Sequence, residues 1–133
     1  MRGFIPYSNE DGRVPAWEYL SCGAITPKIG MALYQSSGNL AIATGTTKPT
    51  YISMAEFGSA LTAGTKIPVI KVLPGQVFEC TNSASLSGVS VGQKVTLHAS
   101  NGLQVTGTTT SGVATIVAKN GDASGSRVLV RFE

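Results

Sequence analysis

The stretch KVTLHASNGLQVTGTT, residues 94–109, decides the fold class of this chain. Val95 and Leu97 alternate with polar residues ahead of a Ser-Asn-Gly segment, and Leu103 and Val105 alternate with polar residues behind it. An alternation with a period of two is typical of a β-strand that buries one face. We therefore predict two strands that are joined as a hairpin.

The length of the hairpin loop follows from keeping the apolar side chains on one face. A two-residue Asn-Gly turn would set Leu97 opposite Thr106 and mix apolar with polar side chains. A three-residue loop over 100–102 sets Leu97 opposite Val105 instead, with Gly102 in the left-handed conformation that such loops require. We predict the three-residue loop.

Two other segments carry strand and turn signals. Leu33 and Ile42 flank a four-residue loop at 36–39, and pairing them keeps both side chains on one face. Residues 66–81 indicate two strands around a Pro-Gly pair at 74–75, which suits the central positions of a type II turn. Apolar residues occupy both faces of that segment, so we expect it to be deeply buried.

The composition agrees with an all-β domain. Glycine, serine and threonine supply 44 of the 133 residues, and hydrophobic residues supply 42%. Short polar residues suit tight turns, and β-branched apolar residues suit strands. We predict a small β-sandwich or β-barrel of about eight to ten short antiparallel strands, with an extended N-terminal arm.

The first fifteen residues differ from the rest of the chain. Residues 1–15 mix Phe4, Ile5 and Tyr7 with polar residues and two prolines, and show neither the helical nor the strand period. We interpret 1–15 as an extended N-terminal arm and 16–133 as a single β domain. The arm is either a frayed terminus or a segment that reaches a neighbouring subunit.

The charge pattern bears on the class of partner. The net charge is +3, charged residues make up only 13% of the chain, and the lysines and arginines are scattered. A nucleic-acid binder needs a basic stripe to neutralise phosphates, so we expect no nucleic-acid partner. No stretch approaches the roughly 20 apolar residues of a membrane span, and the start of the chain lacks the pattern of a signal peptide. We expect synthesis in the cytoplasm and no membrane partner. The low share of charged residues leaves little repulsion between neighbouring copies of the chain, which suits a protein that works in an assembly.

No catalytic or metal site is expected. His98 is the one histidine and alternates onto a polar strand face, where a lone histidine is typical of a surface. Cys22 and Cys80 lack CxxC spacing, and without a secretory signal we expect them to be reduced and packed rather than paired. Glu79 is the one acid in an apolar strand, and we favour an outward-facing position for it. We predict a protein that is not an enzyme and binds no cofactor or metal.

Trp17 and Tyr19 flank Glu18 at strand spacing, so their side chains point the same way. They either cover one end of the core or anchor an interface, since such residues bury large area at little entropy cost.

Four segments follow one another in an order that resembles small phage head proteins. They are EYL at 18–20, ITPKIGMAL at 25–33, TTKPTYI at 46–52 and GTKIPV at 64–69. In capsid decoration (cement) proteins, a strand enters through a Pro/Gly turn and a short hairpin follows. A Pro-containing turn and a Gly-x-x-Ile/Val-Pro-Val strand come next. The resemblance covers about residues 18–80.

This resemblance implies a structural protein on the capsid exterior of the virion, often a local trimer, that binds the major capsid protein and stabilises the head. Under this hypothesis much of the contact with the capsid is carried by five residues: Phe4, Ile5, Tyr7, Trp17 and Tyr19. Deleting residues 1–15 should then abolish capsid binding and leave the domain folded.

Two other classes of function remain open from the sequence. One is a different virion part, such as a head–tail joining or fibre-base protein. The other is a carbohydrate- or surface-binding module in which exposed aromatic residues such as Tyr34 or Tyr51 stack on sugar.

Overall fold

The computed structural model describes residues 2–9 and 12–133, which form an all-β fold, as predicted. None of the described residues belongs to a helix long and apolar enough to cross a membrane. The described part of the chain has eleven strands: β1 (Ile5–Asn9), β2 (Trp17–Ser21), β3 (Ala32–Ser36), β4 (Asn39–Ile42), β5 (Tyr51–Ser53), β6 (Lys66–Lys71), β7 (Gln76–Asn82), β8 (Lys94–Val95), β9 (Gln104–Val105), β10 (Ala114–Lys119) and β11 (Arg127–Arg131).

The strands form two sheets. A five-stranded sheet has the order β2-β6-β5-β3-β4. A six-stranded sheet has the order β1-β7-β11-β10-β8, with β9 added beside β7. The pairing of β9 with β7 is parallel, and the other strand pairings are antiparallel. The architecture is that of a small β-sandwich.

Each sheet curls enough for an additional β-bridge to close its strand order into a ring. In the five-stranded sheet, Cys22 follows β2 directly and bridges to Leu40 in β4, and the Gly23 N–H donates to the Leu40 carbonyl at 2.9 Å. In the six-stranded sheet, Leu97 continues from β8 and bridges to Val105 in β9, which pairs with β7. Both sheets of the sandwich therefore have a barrel-like curvature.

The two predicted hairpin registers are confirmed. Leu97 lies opposite Val105, and Gly102 adopts a φ of 64° in the loop between them, as the predicted register requires. Leu33 lies opposite Ile42, and within the predicted loop the chain reverses over two residues, Ser37 and Gly38, with φ of 51° and 82°. Two successive positive φ angles are those of the hairpin turn that matches the right-handed strand twist.

The predicted turn at Pro74-Gly75 is also present, but it does not close a hairpin. Gly75 has a φ of 76°, and the Gln76 N–H donates to the Leu73 carbonyl at 3.2 Å. The strands on either side, β6 and β7, belong to different sheets, so the turn carries the chain across the sandwich.

Burial on both faces of the five-stranded sheet explains the continuous apolar run in β6. Ile70, Ile52 and Ala32 point toward the six-stranded sheet and join the larger core. Val69 and Leu33 point the other way and join a second core inside the curled sheet. The two cores hold 25 buried side chains of the described residues, 17 in the larger and eight in the smaller.

The segment predicted as an N-terminal arm is extended, but much of it belongs to the domain. Residues 5–9 form β1, which pairs with β7, and Phe4 is completely buried in the larger core. Gly3 lies so close to Gly30 that a Cβ atom at position 3 would collide with the Gly30 carbonyl oxygen. Within 1–15, Met1, Glu10 and Asp11 lie outside the described residues. Deleting 1–15 would therefore remove part of the core, so the expectation that the domain stays folded is corrected.

Candidate partner-binding surface

Exposed apolar side chains are concentrated near the N-terminus. Four of the six large exposed apolar side chains of the described residues lie between positions 7 and 19. They are Tyr7, Val14, Trp17 and Tyr19, with exposed fractions of 60%, 89%, 59% and 64%. We call these four residues the apolar edge, because they lie on β1, on β2 and on the segment between them.

Strand pairing in β2 places Trp17 and Tyr19 on one face, as predicted from their spacing. Trp17 lies opposite Ile70, and Tyr19 lies opposite Pro68. Since directly opposed residues share a face, the two aromatic rings stand beside the rim of the larger core, which contains Ile70. They do not cover that core, because more than half of each side chain is exposed.

The backbone N–H and C=O groups of Tyr19 do not pair with β6 but point to the opposite side of β2. The Pro68 carbonyl accepts from the Met54 N–H at 2.9 Å, on the side of β6 that faces β5. Pairs in an antiparallel ladder alternate in direction, so the backbone groups of Tyr19 point away from β6. β1, by comparison, is an edge that carries Pro6 and a register shift, two features that discourage pairing with another strand.

Tyr7 lies beside an ion pair on the outer face of the six-stranded sheet. Arg127 Nε and Nη2 donate to the two carboxylate oxygens of Glu79, both at 3.2 Å. The hydrogen bond to Glu79 raises the pKa of Arg127, and the negative charge of Glu79 raises it further. Tyr7, Glu79 and Arg127 line a shallow depression of about 310 Å³ together with Leu129. Glu79 thus points outward, as favoured from the sequence, and it is held by a cation.

Two of the five predicted contact residues are not exposed. Phe4 is completely buried and meets Phe132 edge to face, with ring centroids 5.0 Å apart, so it cannot contact a partner in this conformation. Ile5 is half-buried in β1 opposite Glu79. Tyr7, Trp17 and Tyr19 are accessible, whereas Phe4 is a core residue, which corrects its proposed contact role.

His98 supports the hairpin loop. Its Nδ1 accepts from the backbone N–H groups of Ser100 and Asn101, at 3.1 and 3.2 Å. These bonds use the acceptor nitrogen of the imidazole to hold the turn. Among residues 2–9 and 12–133, no group of three or more His, Cys, Asp or Glu side chains could hold a metal ion.

The two cysteines are free and buried in different cores, Cys22 in the smaller and Cys80 in the larger. Burial raises the pKa of both thiols. A protonated thiol is a poor nucleophile and a poor metal ligand, so these cysteines act as small apolar core residues. The prediction that the cysteines are packed rather than paired is confirmed.

The tyrosines named for sugar stacking are not open platforms. Tyr34 packs against the larger core and Tyr51 against the smaller core, and both are half-buried. The exposed aromatic pair is Trp17 and Tyr19 instead.

No known protein-family model matches the chain, and no curated protein matches it significantly. The candidate surface therefore depends on exposure and geometry. Sequence reasoning selected Tyr7, Trp17 and Tyr19, which are exposed, but not Val14, which lies just before Pro15 in a segment without periodicity.

Proposed function

We propose that this chain is a non-enzymatic structural protein that binds the outer surface of a phage capsid and stabilises it. The observation that carries the proposal is the exposed pair Trp17 and Tyr19 on one face of β2, because large apolar side chains exposed side by side on a small domain are typical of an interaction surface. The resemblance of residues 18–80 to decoration proteins supplies the class of partner, the major capsid protein.

A stable scaffold with an exposed aromatic pair suits this task. Trp17 and Tyr19 stand on a strand whose neighbour, β6, is buried on both faces, so their backbone is firmly held. Rigid aromatic anchors lose little conformational entropy when they are covered. A weak contact of this kind, repeated at many symmetric sites on a head, can hold adjacent capsid subunits together.

Removing the aromatic pair should abolish binding without unfolding the domain. For Trp17→Ala/Tyr19→Ala we expect capsid affinity to fall by about 1,000-fold, since truncating a central aromatic anchor costs about 2 kcal/mol and about 1.4 kcal/mol corresponds to a factor of ten. Binding is measured by co-sedimentation with particles that lack this protein, assembled from the capsid protein of the virus that encodes it.

The matched control is Phe57→Ala/Val91→Ala, which truncates the other two large exposed apolar side chains of the described residues. This control should bind as the unmodified protein does. Unimpaired binding by the Trp17/Tyr19 variant would contradict the assignment of the contact surface. Failure of the unmodified protein to bind any particle would contradict the proposed function itself.

A different virion part, such as a head–tail joining or fibre-base protein, is the second candidate, since the same exposed edge would serve a contact at a single vertex. Such a part differs from a decoration protein in copy number per particle. A carbohydrate-binding module has less support, because Tyr34 and Tyr51 are packed against the cores.

A further inference from the structure

The charges of the described residues leave a positive excess. Four carboxylates lie within 4.0 Å of a cationic side chain, in the pairs Lys28–Glu56, Lys119–Asp122, Arg127–Glu79 and Arg131–Glu133. Glu18 is the remaining side-chain carboxylate of the residues that the structure describes, and no cation pairs with it. On the cationic side, four exposed lysines have no ionic partner among the described residues: Lys48, Lys66, Lys71 and Lys94.

Two of these lysines border the apolar edge. Lys66 lies opposite Ser21, and alternation along β2 puts it on the same face as Tyr19 and Trp17. A diagonal neighbour across two paired strands stands roughly 7–8 Å away, within reach of a lysine side chain. Lys71 lines a depression on the other side of β2 together with Val14 and Glu18.

We infer that the partner surface that covers Trp17 and Tyr19 is acidic, and that Lys66 is the charge that selects it. The inference deepens the proposed function and rests on it. The two aromatic rings supply apolar area, and an unpaired ammonium group on the same face gains a carboxylate partner when the surface is covered. A basic or neutral partner would leave that ammonium group beside the contact without compensation.

A charge on the border of an interface acts mainly on the rate of association and on its salt dependence. The test therefore compares Lys66→Glu with Lys94→Glu. Both lysines are exposed first residues of strands, and each change lowers the formal net charge from +3 to +1. Because the net charge is matched, a difference between the variants reports the position of the charge. Association with immobilised particles is followed at about 50 mM and about 500 mM salt, where the screening length falls from about 14 Å to about 4 Å.

We expect Lys66→Glu to associate about tenfold more slowly than Lys94→Glu at low salt, with the difference nearly lost at high salt. Glu18→Gln, which removes the one unpaired carboxylate, should associate about two- to threefold faster than the unmodified protein. Lys66→Gln serves as the second variant if Lys66→Glu does not fold, and it should slow association about threefold.

If the unmodified protein binds particles and the Lys66 and Lys94 variants associate at equal rates, the inference is overturned. The proposed function would stand in that case. Faster association of Lys66→Glu would also overturn it, because that result indicates a basic partner surface. If the unmodified protein does not bind particles at either salt concentration, the proposed function fails and the inference fails with it.

Discussion

Phe4→Ala is expected to destabilise the domain by about 3–5 kcal/mol, the cost typical of truncating a fully buried phenylalanine. Phe4 has no exposed surface, and its ring lies 5.0 Å from that of Phe132, which in turn lies 5.3 Å from Phe78. Truncation leaves a cavity in the larger core at the place where the N-terminal segment is anchored. Urea unfolding followed by tryptophan fluorescence measures the loss.

Tyr7→Ala is the matched control, because Tyr7 lies three residues away on the same segment and is mostly exposed. Its cost should stay within about 1 kcal/mol. Equal small effects of the two substitutions would mean that residues 2–9 do not belong to the folded core, and would restore the interpretation of a separate arm. The expected large cost at Phe4 is also the reason to test capsid binding with side-chain truncations on β2 rather than by deleting 1–15.

Asn82→Asp is expected to cost about 3–4 kcal/mol at pH 7, although it changes only an amide to a carboxyl. Asn82 is completely buried at the end of β7, and its Nδ2 donates to the carbonyls of Ala84, Asp122 and Ala123 at 2.8, 3.3 and 3.0 Å. An introduced carboxylate would replace this donor by an acceptor that faces three carbonyl oxygens. The bonds to Asp122 and Ala123 hold the glycine-rich loop that joins β10 and β11.

The cost at Asn82 should depend on pH in a defined direction. Burial and the facing carbonyls raise the pKa of the introduced carboxyl in the folded state, whereas in the unfolded state it ionises near pH 3.9. Below that pH the group is protonated in both states, so the electrostatic part of the cost is absent. As the pH rises further, the unfolded state loses its proton first, and the stability of the variant falls by about 1.4 kcal/mol per pH unit until the folded state ionises too.

Asn120→Asp is the control for this prediction, since it adds the same charge at an exposed position in the loop that Asn82 contacts. Unfolding at pH 4 and pH 7 should show a change within about 0.5 kcal/mol at both values. A flat pH dependence for Asn82→Asp, parallel to that of the control, would contradict the buried amide and its three acceptors.

The local features of the fold could be predicted from the sequence because they depend on neighbouring residues. The register of Leu97 against Val105 follows from alternation plus one glycine in the loop, and the structure has that register. The pairing of Leu33 with Ile42 follows in the same way. In both hairpins the turn and the apolar pattern act within a few residues of each other, so sequence order specifies the contact.

The parts that could not be predicted depend on contacts between residues far apart in the chain. The Pro74-Gly75 turn gives no sign that β6 and β7 enter different sheets. The Cys22–Leu40 bridge that curls the five-stranded sheet joins residues whose side chains carry no pairing signal, and nothing in the sequence indicates the parallel pairing of β9 with β7. Phe4 shows no period with its neighbours, because its burial depends on packing against Phe132 at the other end of the chain.

The candidate surface, too, has parts that could be predicted from the sequence and parts that could not. The common face of Trp17 and Tyr19 follows from their spacing on one strand, whereas Lys66 joins them only because β6 pairs with β2. Val14 carries no periodic signal, and its exposure is visible only in the structure.

Decoration of a capsid by this chain is tested by counting its copies in purified particles. Quantitative mass spectrometry of density-banded virus particles from the source that encodes the chain gives its copy number relative to the major capsid protein. The proposed function predicts a number comparable to that of the major capsid protein. A dozen copies or fewer per particle, or complete absence from it, would contradict decoration.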